Sequence, residues 1–149
     1  MKRNICQSVL ILSILLVASC HRSKSVDDKK VYSDSLQGAW ELRNVFGGFR
    51  PAGSPTNFAP GNGTIWSFKD SSFKRYEKGT LVDSGGFIID RDTCPVTNTL
   101  MDAISFRNNS NNYGFQIFFE ISRDTLTMYH GVIAADGTIS KYVRINKLD

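Results

Sequence analysis

Few side chains in this sequence can do covalent or acid–base chemistry, and they are scattered. Among 149 residues there are three cysteines, Cys6, Cys20 and Cys94, and two histidines, His21 and His130. No histidine pair stands at metal-ligand spacing and no Cys-x-x-Cys occurs, so no metal site is expected. Cys94 and His130 could meet in space as nucleophile and base. Nothing local supports that pairing, and Pro95 directly after Cys94 points to a turn with the thiol packed inward. Asp90 and Asp92 flank Arg91 and read more readily as a solvated turn than as a calcium site. His130, beside Tyr129, reads as a core or rim histidine. No catalytic residue and no cofactor is assigned, and the chain is not expected to be an enzyme.

The one segment whose spacing does support chemistry is LLVASC, residues 15–20. Lys2 and Arg3 give a short positive start, and Val9 to Ala18 is apolar apart from Ser13. Roughly ten residues cannot cross a hydrocarbon core that needs about 20 in a helix. A positive start, a short apolar core and small residues form the pattern of a cleavable export signal. Val17-Ala18-Ser19-Cys20 resembles the lipobox of bacterial lipoproteins. That resemblance implies cleavage before Cys20, diacylglycerol on its sulfur and an acyl chain such as palmitate on its amine. Ala18 and Ser19 are small enough for a peptidase groove, and a thiol is the soft nucleophile that accepts the lipid. Several acyl chains at one residue anchor stably where one would not. An ordinary export signal followed by an unrelated cysteine is the alternative. His21 stands where an Asp would signal inner-membrane retention. By resemblance to Gram-negative lipoprotein sorting this implies the outer membrane, with the leaflet open.

Three segments follow: a signal over 1–19, a lipidated start and polar tether over 20–35, and one domain over 36–149. Loss of Lys2 and Arg3 with the signal takes the formal charge from +4 to +2. That charge, without a basic and aromatic face, argues against nucleic acid. Cys94 would then be the lone remaining thiol, which excludes an internal disulfide and leaves a monomer as the expected state. Residues 21–35, HRSKSVDDKKVYSDS, are too polar to pack. As a random coil they would hold the domain roughly 20–25 Å from the membrane.

From Leu36 onward β-branched and aromatic residues alternate between turn signals. GAWELRNVF places Trp40, Leu42 and Phe46 on one face, and GTIWSFKD pairs Trp66 with Phe68. SFKRYEKGTLVDSGGFIID reads as a hairpin turning at Lys78-Gly79, with Gly85-Gly86 marking a bulge or a close strand contact. LMDAISFR is a further strand, and YGFQIFFEIS aligns Phe115, Ile117, Phe119 and Ile121. A tight turn is expected at Arg123-Asp124 and a two-residue hairpin at Asp136-Gly137. About eight strands with short connections predict an all-β, antiparallel up-and-down barrel, since closure removes exposed edges. A two-sheet β-sandwich is the alternative.

Gly38-Ala39-Trp40 on the first strand matches the Gly-x-Trp signature of lipocalins, and Arg144 falls where that family packs an arginine over the tryptophan. LQGAWEL and YVRI also resemble the lipocalin-like domains of small bacterial lipoproteins. The resemblance covers Leu36 to Leu148. It implies a barrel whose Gly38, Trp40 and Arg144 clasp its narrow end, with a small hydrophobic ligand in or beneath the mouth. Secreted lipocalins add a disulfide and a C-terminal helix; this chain cannot form the first and ends too soon after Arg144 for the second. The segment 47–63, GGFRPAGSPTNFAPGNG, holds three of the four prolines, so it is a loop rather than a strand. In lipocalins the corresponding loop covers the mouth. Phe49, Arg50 and Phe58 in the loop, with Trp66, Phe68 and Phe115 inside, are the ligand-contact candidates. The alternative is a solid barrel serving as a protein-interaction or inhibitor module, its loops exposing an apolar patch at Phe49 and Phe58.

The lipobox reading has a direct consequence. Cys20→Ser should leave the barrel folded but move the protein from the membrane to the soluble fraction on cell fractionation. Retention in the membrane would refute the anchor.

Overall fold

The computed structural model describes residues 34–48, 50–108, 113–131 and 137–146. Eight strands follow in order: β1 (Gly38–Gly47), β2 (Ile65–Lys69), β3 (Ser72–Glu77), β4 (Thr80–Cys94), β5 (Thr99–Asn108), β6 (Tyr113–Ser122), β7 (Thr125–His130) and β8 (Thr138–Ile145). Each pairs antiparallel with the next, and β8 returns to β1, from Ala39 opposite Ile145 to Gly47 opposite Thr138. The sheet is a closed up-and-down barrel, which excludes the sandwich.

Turn chemistry accounts for the register at several corners. Lys78 and Gly79 both have positive φ, 51° and 80°, as a two-residue hairpin turn requires. Arg123, at φ 54°, turns β6 into β7 as expected. The Gly85-Gly86 pair sits in register opposite Phe73 and Ser72, and the bulge falls instead at Val82, opposite the Arg75–Tyr76 step. The two-residue turn expected at Asp136-Gly137 is not what joins β7 to β8. Their ladder ends at His130–Thr138, so residues 131–137 connect them, and 132–136 lie outside the described part. Phe46 does not share the inward face of Trp40 and Leu42. A register shift between Leu42 and Asn44 turns it outward, and Lys141 lies over its ring.

Alternation fills the interior with rings. Trp66, Phe68, Phe73, Phe87 and Phe106 are buried and in mutual contact, with Phe73 edge-on to Phe106 at 4.7 Å and Trp66 stacked on Phe68 at 5.8 Å. Ile104, Ile117, Phe119, Leu126 and Met128 complete this core. On the opposite face of β5–β6–β7 a smaller cluster buries Cys94 with Ala103 and Phe118, covered by Val96, Met101 and Tyr129. The Cys94 thiol is thus fully buried, outside the barrel wall rather than inside it.

The narrow end is closed by the chain entering it. One helical turn at residues 34–36 inserts Leu36, and the indole Nε1 of Trp40 donates to the Leu36 carbonyl at 2.8 Å. Arg144 lies with its guanidinium 4.1 Å from the Trp40 ring centroid and donates to the carbonyls of Gln37 and Ser35. Gln37 in turn exchanges two hydrogen bonds with the backbone of Asp70 at the β2–β3 corner. Gly38 has φ +114°, and a Cβ there would come within 2.9 Å of the Arg144 guanidinium, so Gly38 makes room for the clasp.

Arg144→Ala removes the cation–π contact and strands two carbonyls at once. It should cost about 2–4 kcal/mol in urea unfolding. A loss below about 0.5 kcal/mol, the size of an ordinary surface change, would show that the clasp is dispensable.

Candidate functional site

Inward side chains change character along β3. Phe73 is core, whereas Arg75 and Glu77, two and four residues later on the same face, stand at the wider end. There Thr64, Ile65, Trp66, Arg75, Glu77, His130, Thr138, Ser140 and Tyr142 line a cavity of about 410 Å3. This volume lies within the ~300–1,000 Å3 usual for ligand pockets. Trp66 forms its floor and separates it from the packed rings below.

The polar groups of the cavity are arranged on two walls. Arg75 is the ladder partner of Trp66, with its guanidinium carbon 5.8 Å from the indole centroid, and pairs with Glu77 at 2.6 Å. Burial raises the pKa of the Tyr142 hydroxyl against the opposing pull of Trp66, Ser140 and the nearby Arg75 cation. On the far wall the Nε2 of His130 is buried without a hydrogen-bond partner among the described residues. Burial lowers the His130 pKa, so the ring is neutral near pH 7.

The long loop was the first candidate for ligand access, but its described residues are stitched along β1. Val45 N donates to Thr56 O, Phe58 N to Arg43 O and Leu42 N to Thr64 O, so the loop continues the β1 ladder where β2 stops. Glu41 holds the last turn. Its carboxylate, on a residue only 3% exposed, accepts from the amides of Gly61 (3.1 Å) and Gly63 (3.2 Å) and pairs with Arg43 at 2.7 Å. Burial raises the Glu41 pKa, but these donors outweigh it and the net shift is downward. Gly63 packs against the β3–β4 turn so closely that a Cβ would lie 2.5 Å from Gly79 N. That contact sets Thr64 beside Glu77 at the rim.

Among the described ligand-contact candidates, Trp66 alone lines the cavity. Phe68 is 1% exposed and belongs to the ring core. Arg50 donates to the carbonyls of Val45 and Pro55, which makes it a staple of the loop. Phe58 packs half-buried against the core. Phe49 and the side chain of Phe115 lie outside the described residues. Gly38, Trp40 and Arg144 sit together at the other end. The sequence reading missed Arg75, Glu77, Thr138 and Ser140; the alternation Phe73, Arg75, Glu77 in SFKRYE was the available signal.

A second groove of about 430 Å3 lies toward the narrow end, with Ser35, Leu100 and Ile121 among its walls, and the Arg91–Asp102 ion pair at 3.3 Å crosses it. Burial raises the Asp102 pKa against the pull of Arg91. Among the described residues no group of three His, Cys, Asp or Glu could hold a metal ion, and no helix is long and apolar enough to cross a membrane. Comparison with models of known families, with curated proteins and with solved structures finds no match to this chain.

The Glu41 carboxyl titrates below its unfolded value near 4.5. Its contribution is therefore present above that value and is lost as pH falls toward the folded pKa. Glu41→Gln should cost about 1–2 kcal/mol at pH 7. In urea melts the gap between the two proteins should narrow as pH drops below 4.5. A gap that is constant down to pH 3 would contradict the bonding scheme.

Proposed function

We propose that this protein is a lipid-anchored, lipocalin-like barrel that holds one small, largely apolar molecule in the cavity at its wide end. Residues 20–35 would serve as the lipidated tether, at the outer membrane, with no nucleic-acid partner and no catalytic step. The observation that carries this reading is the cavity of about 410 Å3 above the Trp66 floor. It stands between a plugged narrow end and a wide end where the inward residues stop being aromatic. Supporting it, Arg75, Ser140 and Tyr142 bring polar side chains to the same cavity as Trp66. The lipobox-like residues 17–20 support the anchor.

The solid-barrel interaction module is less favoured. The rings below Trp66 are packed, as that reading requires, but the exposed apolar loop patch it needs is weakened by Phe58 packing on the core.

Native mass spectrometry on the chain from residue 20 onward, extracted from the envelope, tests the proposal. A reproducible added mass of a few hundred daltons, lost in a Trp66→Ala variant, is expected. A clean apo mass in every preparation, together with co-purification of a stoichiometric protein, would favour the interaction module instead.

A further inference from the structure

Resting on the reading of the wide end as a ligand site, the walls of the cavity narrow the class of ligand. The cavity combines apolar surface with polar groups, since seven of its nine lining residues carry polar side chains. Among those side chains the strongest recognition element is Arg75, since a guanidinium offers five N–H donors in a planar fork.

Its partner Glu77 does not commit the fork. Arg75 and Glu77 are 36% and 54% exposed, so their ion pair is wet and weak, and exchange of one carboxylate for another costs little. The fork lies across the ladder from Trp66, so a carboxylate held there keeps its attached carbons beside the part of the indole that lines the cavity. Tyr142 supports the same polarity. The Tyr142 hydroxyl, also on the cavity wall, can donate its proton to a ligand oxygen.

We infer that the cavity selects small carboxylic acids, with the carboxylate exchanged onto Arg75 in place of Glu77 and an apolar, ring-sized body resting on Trp66. The alternative within the same site is an uncharged molecule recognised by shape alone. The two differ in whether binding depends on the ligand's charge.

The pair 4-phenylbutyrate and 4-phenylbutanamide separates them, because it changes charge at nearly constant shape. Binding to the 15N-labelled chain from residue 20 onward is followed through the indole N–H resonance of Trp66. The Trp40 indole, bonded to Leu36 at the far end, serves as the internal control for folding. The acid should bind about tenfold or more tightly than the amide, as a charge-assisted hydrogen bond implies. Arg75→Gln should reduce that preference to less than about twofold with the Trp40 resonance unmoved. Glu77→Gln should strengthen binding of the acid severalfold, because the competing carboxylate is gone. Equal binding of acid and amide would overturn the carboxylate assignment and leave the ligand site standing. Silence of the Trp66 resonance toward both at millimolar concentration would overturn the two together.

Discussion

The guanidinium of Arg144 laid on the indole of Trp40 reinforces the β1–β8 ladder that closes the sheet. An open eight-stranded meander would expose two edges, and this contact joins the strands that carry them. Because Arg144 also holds the carbonyls of Ser35 and Gln37, it fixes the path by which the chain enters the barrel and drives Leu36 into the narrow end. The same residue therefore closes the wall and plugs the base. With the base plugged and the next layers filled by Trp66, Phe68, Phe73, Phe87 and Phe106, the cavity at the wide end is bounded below by packed rings.

A buried carboxylate performs the corresponding task at that wide end. Glu41 points away from the core, on the face opposite Trp40, and would be a costly charge to bury unpaired. The amides of Gly61 and Gly63 and the guanidinium of Arg43 satisfy it, and in doing so they pull the end of the long loop onto β1. The loop is thus a continuation of the sheet more than a cover. Its placement presses Gly63 against Gly79 and defines one side of the cavity rim. A polar rim over an aromatic floor is the arrangement from which an amphipathic ligand follows.

Much of the fold was legible because its signals are local. Lys78-Gly79 and Arg123-Asp124 announce their turns by residue type, and Trp66 and Phe68 announce an inward face by spacing. Where the reading failed, a non-local event had intervened. A bulge after Leu42 flips Phe46, a bulge at Val82 replaces the one expected at Gly85-Gly86, and seven residues rather than two join β7 to β8. The site was less legible than the fold. Arg50 and Phe58 looked like ligand groups because a Gly- and Pro-rich loop looks free, and the hydrogen bonds that bind it to β1 span the turn between them.

Strand number, the turns at Lys78-Gly79 and Arg123-Asp124 and the aromatic content of the interior were determined by the sequence itself, whereas the pairing of Trp40 with Arg144 was implied by the family resemblance. The former rest on period-two alternation and on backbone preferences that each residue carries alone. Only the tertiary structure decided that Arg75, Glu77, His130, Ser140 and Tyr142 share one cavity with Trp66. Which inward residues come level around a closed barrel depends on the stagger between strands and on every bulge that alters it. That sum is taken over the whole ring, and no local stretch of sequence contains it.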